Sequence, residues 1–478
     1  MRPARTKIVA TVGPASSSPE VLERLVRAGV DVFRLNLAHG TLEEKTQIIA
    51  AIREVESRIG PLGIFVDLAG PKIRLGELVQ EPMRCALGAE LHFVRGERAQ
   101  AENELTSSYD ALVDELEVND TVMLADGTVK LKVVAKQQDS VTCVVRQAGE
   151  LRSRQGINLP GVKLGLPSMT AYDHECLAWA VQQDIDAVSL SFVRHPADVQ
   201  ALRERLREAD RDLFVIAKIE KPEAMAELEA IVKQADVIMV ARGDLGVEID
   251  VAEVPAAQKH IIRVCNRHLR PVIVATQMLD SMQRASIPTR AEASDVANAI
   301  LDGADACMLS GETAIGHYAV ESVEVMSRIM VATEPILKHD PIETETDPDF
   351  LRTKPTTSAI VYGAGRIAEK LEAKLVVIAT RSGATALAKS NQRDFVPTLG
   401  ISQHRRVLRQ MNFLWGVTPL SDVPVDTASA SEFILRWGRE EGLLATGDHV
   451  VMVSGAGIGD GPYNTITVYT VPADDDRP

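Results

Sequence analysis

IAKIE (216–220) and VARGDLG (240–246) stand one helix length apart, and each closes a short apolar run with charged residues. A strand ending in Lys218 and Glu220, followed by one ending in Arg242, Gly243 and Asp244, delivers an ammonium and two carboxylates to one rim of a parallel sheet. Hard oxygen donors of this kind suit magnesium or manganese. An amine beside such a pair describes chemistry at an enolate next to a divalent ion. Taken singly, either acid would more often be a helix cap or a surface ion-pair partner. Grouped about Lys218, they read as a site.

Outward from this pair, β-branched runs alternate with amphipathic stretches of helical length. Strands are expected in KIVATVG (7–13), VDVFRLNLA (30–38), LGIFVDLAG (62–70), IDAVSLSFV (185–193), LFVIAKIE (213–220), ADVIMVARG (235–243), PVIVATQM (271–278) and ADACMLSGE (304–312). About eight strands with intervening helices predict a closed (β/α)8 TIM barrel rather than an open sheet. The polar residues Arg34, Asn36, Asp67, Ser191, Lys218, Glu220, Asp244, Thr276, Ser310 and Glu312 all fall at C-terminal strand ends. One barrel mouth would collect them.

Between the third and fourth strands the pattern changes to short alternating runs, TVMLADG (121–127), TVKLKVVAK (128–136) and SVTCVVRQ (140–147), with a hairpin turn at Asp126-Gly127. The expected organisation is a catalytic barrel over 1–71 and 167–337, an inserted small antiparallel β-barrel over 72–166 that closes on the mouth as a lid, and a C-terminal open α/β domain of regulatory type over 338–478. The stretch 338–357, rich in acid, threonine and proline, reads as the linker to that domain. Its strands are expected in KLVVIAT (374–380), VPTLGIS (396–402) and HVVMVSG (449–455), and DDDRP (474–478) as a frayed end.

At 478 residues the chain is too long for one core. Its net charge of −15 argues against a nucleic-acid surface and requires anionic substrates to be drawn by local cations. Five cysteines, Cys85, Cys143, Cys176, Cys265 and Cys307, lack paired spacing, so neither a disulfide framework nor a zinc site is expected. With no signal peptide or membrane span in the reading, a cytoplasmic setting is expected.

TKIVATVGPAS (6–16), RLNLAHG (34–40), DLAGPKIRLGE (67–77), KIEKPE (218–223), ARGDLGVE (241–248), ATQMLDSM (275–282), PTRAEASDVANA (288–299) and MLSGETAIG (308–316) together resemble pyruvate kinase, in order and spacing across the whole barrel. The resemblance implies phosphoryl transfer from phosphoenolpyruvate to ADP, giving pyruvate and ATP, the final step of glycolysis, by a magnesium- or manganese-dependent enzyme that is commonly a homotetramer. It implies Glu220 and Asp244 as metal ligands. It assigns Lys218 to the moving phosphoryl group, Arg34 to the phosphate, the Gly243 and Asp244 amides to the substrate carboxylate, and Thr276 to proton delivery at the methylene carbon. Asn36, His39 and Arg74 would face the nucleotide phosphates.

Departures from the family pattern carry information. Ala38 removes a hydroxyl that normally helps coordinate potassium, Leu68 replaces a threonine, and Lys72 stands where an acid is usual. An ammonium at Lys72, with Asn36 and Asp67 as its surroundings, would replace potassium, and the enzyme is expected to be potassium-independent. Glu44 stands where an aromatic often borders adenine. Gln155 stands where a lysine is common in the lid, making Arg154 the candidate for the missing charge. In ATRSGAT (379–385), Thr380, Ser382, Gly383 and Thr385 resemble a loop that holds the phosphate of an allosteric effector, a pattern also common in α/β sheets at large.

Two other functions compete. A magnesium-dependent 2-oxo acid aldolase or lyase also stabilises a pyruvate enolate on such a barrel, but the insert and third domain count against it. A non-catalytic regulatory paralogue would not need Lys218, Glu220, Asp244 and Thr276 together.

Overall fold

The computed structural model describes residues 4–162, 165–339, 353–455 and 464–473. Eight parallel strands close into a barrel: Lys7–Thr11, Val32–Asn36, Gly63–Asp67, Ala187–Leu190, Phe214–Ile219, Val237–Ala241, Val272–Ala275 and Ala306–Leu309. Each lies within a predicted run, and the eighth pairs with the first through Lys7 opposite Ala306. Branched and sulfur side chains such as Val9, Val32, Ile216, Met239 and Ile273 fill the interior. A second apolar shell seals strands against the outer helices.

Local chemistry starts the helices where the pattern asks. Pro19–Ala28 begins on Ser18 with Pro at its first turn and stops at Gly29, whose φ of 138° suits only glycine. Leu42–Ile59 begins on a reciprocal cap in which Thr41 Oγ1 accepts from Glu44 N and Glu44 Oε2 accepts from Thr41 N. Glu44 is thus a capping residue first.

The insert leaves from the third strand. Its six-stranded sheet runs Ile157–Asn158, Thr121–Leu124, Val129–Lys136, Ser140–Gln147, Glu90–Val94, Glu104–Leu105. All neighbours are antiparallel except the last pair. A separate ribbon joins Met83–Cys85 to Gly149–Leu151. The expected small barrel therefore takes the form of a six-stranded sheet and a ribbon around one apolar core. Ala125, Asp126 and Gly127 turn the expected hairpin at positive φ.

Helices Ala319–His339 and Pro355–Lys370 run into the predicted linker from either side, so 338–339 and 355–357 are helical instead. Most of it, 340–352, and the DDDRP end lie outside the described residues. The C-terminal sheet runs Val417–Leu420, Thr398–Ile401, Leu375–Ala379, His449–Ser454, Thr465–Thr470, parallel but for its last strand. From this domain Phe413 enters the barrel interior at the end opposite the mouth, 6.3 Å from Phe65 and 6.1 Å from Phe214 between ring centres. Beside it Arg409 grips both oxygens of Glu56 at 2.7 Å and Asp184 at 2.6 Å. The five cysteines are free and buried, and burial pushes Cys85 to about 11 and Cys143 and Cys307 to about 12. Among the described residues no helix is long and apolar enough to cross a membrane.

Candidate active site

Asp67, at the end of the third strand, organises the mouth. Its Oδ2 accepts from Arg34 Nε at 2.8 Å and Nη2 at 2.5 Å, and Lys218 Nζ stands 3.5 Å away. Its Oδ1 takes the Ser189 hydroxyl in a short bond and faces Ser191 at 3.5 Å. Burial would raise this carboxyl, but Lys218 and Arg34 hold it below the ordinary carboxylate range. Asp67 thus orients two cations. Ser189 went unread in the sequence, although it shares a strand face with Ser191 two residues on.

Lys218 is 8% exposed and donates to Ser191 Oγ at 2.7 Å. Burial would lower its pKa, but Asp67 and Glu220 together hold it above the usual lysine value. Glu220 is fully buried, and its Oε2 accepts from Phe192 N at 2.7 Å. The amide is presented by a backbone at φ 53°, a costly conformation for a phenylalanine. Glu220 Oε1 lies 2.9 Å from Lys218 Nζ, yet no donor is aligned on it. The contact is an ion pair with the ammonium, and no further donor among the described residues reaches this oxygen. Burial lifts this carboxyl above its ordinary value, Lys218 opposing the rise and Asp244 adding to it.

Among the described residues no three His, Cys, Asp or Glu side chains form a ready cage for a metal. Two carboxylates, one with an unsatisfied buried oxygen, nevertheless fit an ion such as magnesium, which keeps waters and takes substrate oxygens to complete its shell.

Asp244 lies in the first turn of the short helix Arg242–Glu248. Here the structure differs from expectation in two ways. Lys72 Nζ lies 3.2 Å from Asp244 Oδ1, and no hydrogen bond among the described residues joins Lys72 to Asn36 or Asp67. Asn36 Oδ1 instead accepts from Ala38 N. The Gly243 amide, expected to be free for a substrate carboxylate, donates to Thr276 Oγ1 at 2.8 Å, while that hydroxyl donates to Ala275 O at 2.6 Å. Thr276 and Gln277 sit at φ 71° and 55°. A β-branched residue at positive φ is a strained feature of the kind that gathers at active sites.

Arg34, Asn36 and His39 line a cavity of about 1080 Å³ that continues past Lys45 and Ser310 to the apolar Ile48 and Ile315. Arg74 approaches from the insert, its Nη1 on Arg154 O. Burial lowers the His39 pKa, and Arg74, Lys45, Arg34 and Lys72 lower it further. Four cations acting on one imidazole make the local positive potential that a chain of net charge −15 needs for anionic substrates. Lys45 was not singled out in the sequence, since a lysine beside Glu44 reads as an ordinary helix surface residue.

Arg154 does not reach the mouth. At φ 65° its guanidinium turns to Glu77 on the insert's surface, 2.9 Å away. Glu312 holds the amides of Leu279 and Ser310. In the C-terminal loop Thr380 and Thr385 are buried and Thr380 Oγ1 caps Gly383 N at 3.0 Å, so an open nest of hydroxyls is absent there. Ser382 and Gly383 border a cavity of about 580 Å³ shared with barrel residues Arg203 and Asp236.

Residues 3–323 match the pyruvate kinase barrel domain, and residues 358–469 the pyruvate kinase alpha/beta domain. A pyruvate kinase of Agrobacterium vitis is 41% identical over 475 residues, 98% of each chain. One from Mycobacterium intracellulare is 41% identical over 98% of this chain and 99% of its own. A crystal structure of a pyruvate kinase from Cryptosporidium parvum superposes with a TM-score of 0.90 at 32% identity, covering 98% of this chain and 97% of that one. By fold and kinship the chain is a phosphotransferase. It belongs to the pyruvate kinase family.

Proposed function

We propose that this enzyme moves the phosphoryl group of phosphoenolpyruvate to ADP, releasing pyruvate and ATP in the cytoplasm. The carrying observation is the gathering of Arg34 and Lys218 on buried Asp67 beside the open oxygen of Glu220, at the edge of the large cation-lined cavity. Of the five N–H bonds of Arg34, two go to Asp67 and one to Thr11, leaving two for a phosphate. Lys218, kept protonated, faces the same place and stabilises charge as the phosphoryl group leaves. Magnesium or manganese held by Glu220 and Asp244 would neutralise charge on the substrate oxygens. The substrate carboxylate competes with Thr276 for the Gly243 amide. A Thr276 hydroxyl so released can carry a proton toward the methylene carbon. Asn36, His39 and Arg74 receive the nucleotide phosphates.

Potassium independence is part of the reading. Asp67 is already satisfied by Arg34, Lys218 and Ser189, Ala38 offers no hydroxyl, and Lys72 supplies a tethered positive charge felt as far as His39. Initial rates in sodium or tetramethylammonium buffer should change little on adding potassium, and a large activation would defeat this part. A coupled assay should show pyruvate release that needs both ADP and magnesium. Release without ADP would favour the aldolase or lyase alternative, and no turnover at all the regulatory paralogue.

The same proposal includes a homotetramer, checked by light scattering, and a phosphorylated effector at Thr380, Ser382, Gly383 and Thr385. Since both threonines are buried, such a ligand meets Ser382 and the Gly383 backbone first. Rate curves against phosphoenolpyruvate with sugar phosphates and AMP test it, and flat responses to all would remove it.

A further inference from the structure

The insert is rooted in the barrel by two chain crossings that pair with each other. Leu75 N donates to Gln155 O at 2.8 Å, Ile157 N donates to Ile73 O at 2.9 Å, and Arg74 bridges Gly156. Lys72 sits at the start of the outgoing crossing, where its amide donates back to Gly70 O at 2.8 Å. The returning crossing lies against its stem: a Cβ on Gly156 would come within 3.2 Å of Lys72 Cε. The ammonium is therefore held by the insert's root rather than by a free arm.

That root is bonded twice to the helix Arg242–Glu248. Lys72 Nζ meets Asp244 Oδ1 at 3.2 Å, and Asn158 Nδ2 donates to Glu248 Oε1 at 3.3 Å. Lys221 holds the same Glu248 oxygen at 2.7 Å from the barrel side. The first of these bonds falls on the carboxylate that the proposed function assigns to the divalent cation. An ammonium and a divalent cation repel and cannot share that oxygen closely.

Resting on that assignment, we propose that Lys72 is a built-in counter-ion of Asp244 that the divalent cation must displace, so that loading the cation removes one of the two bonds tying the insert's root to the barrel mouth and leaves the Asn158–Glu248 bond as the remaining tie. Lys72 is then a positioning residue that lowers cation affinity in the empty enzyme. It also makes lid movement answer to cation occupancy. A displaced ammonium becomes available on the phosphate side of the site, where its charge is already felt by His39.

The test is Mn2+ binding to the full chain without substrate, followed by electron paramagnetic resonance, for wild type, Lys72→Met, Lys72→Gln and Glu220→Gln. A partly buried ion pair of this kind predicts tighter Mn2+ binding by about three- to tenfold in both Lys72 variants. Hydrogen exchange at 70–75 and 155–159 should quicken on adding Mn2+ to wild type. In both Lys72 variants it should be fast already and indifferent to Mn2+. Glu220→Gln weakening Mn2+ binding at least tenfold supports the cation site itself. Unchanged binding in Glu220→Gln overturns that site and the inference with it. Loss of binding in Glu220→Gln with unchanged or weaker binding in the Lys72 variants overturns the inference alone, as does wild-type exchange that ignores Mn2+.

Discussion

Replacing Asp67 by Asn tests the centre of the site. The substitution keeps the shape and removes the one negative charge that Arg34 and Lys218 share. At 3.5 Å and an effective dielectric of about 20, the Lys218 contact alone is a gross attraction of roughly 5 kcal/mol. Desolvation offsets part of this in the intact protein and Lys218 keeps Glu220, but leaving the largely buried Arg34 without its carboxylate costs about 3–5 kcal/mol. For a barrel-sized unit that lowers Tm by roughly 6–20 °C. Arg34 and Lys218 also lose their shared anchor, and a misplacement of about 1 Å at reacting groups costs on the order of 10²-fold in rate. Thermal unfolding and the ADP-coupled assay read both numbers. Inorganic phosphate should raise the variant's Tm more than the wild type's, because the anion replaces the missing charge. A folded Asp67→Asn protein with a Tm within about 2 °C of wild type and kcat/KM within about threefold would refute the reasoning, since neither loss then approaches these magnitudes.

Titration of His39 by NMR should find its pKa below the ordinary histidine value in the free enzyme, and ADP should move it upward as phosphates offset Arg74, Lys45 and Arg34. A downward or absent shift would place the nucleotide elsewhere. Asp186, fully buried against Arg53 and Arg409, is raised by burial to about 6. Its folded pKa exceeds the unfolded one, so this group adds stability as pH falls from 7 through 6 toward 4. Comparing Tm between pH 7 and 5, Asp186→Asn should remove that gain, and an identical pH profile would reject the assignment. Gly13→Ala should cost about 1–3 kcal/mol in chemical denaturation, because the new methyl would stand 2.5 Å from the Ala314 carbonyl oxygen at the cavity wall. A neutral result would mean that this wall yields freely.

The barrel was legible because its signal is local. Each strand is a short apolar run, and residues such as Lys218, Glu220, Asp244 and Thr276 mark the ends. Burial on both faces of a parallel sheet writes such runs directly into the chain. What escaped depends on distant partners. Glu104–Leu105 and Ile157–Asn158 are two-residue strands defined by pairing alone. The Thr465–Thr470 edge strand carries a β-branched TIT but is nowhere fully buried, so no apolar run marks it. Asp67 stands at a legible strand end, but its tie to Ser189 spans 122 residues and the Lys72 contact with Asp244 spans 172. Arg154 was assigned by proximity in sequence, and a left-handed backbone turned it away. The effector loop was recognisable as a strand-to-helix turn, yet the burial of Thr380 and Thr385 is settled by how the sheet packs.

The buried thiols have a practical consequence. Thiolate is the reactive form, and groups pushed toward 11 or 12 and shielded from solvent stay silent toward maleimides and spin labels at neutral pH. The natural protein is thus a blank background for labelling. Leu87→Cys on the insert and Val251→Cys on the barrel, both at well-exposed positions, would carry a probe pair whose separation follows the lid in real time, with no native cysteine to remove first.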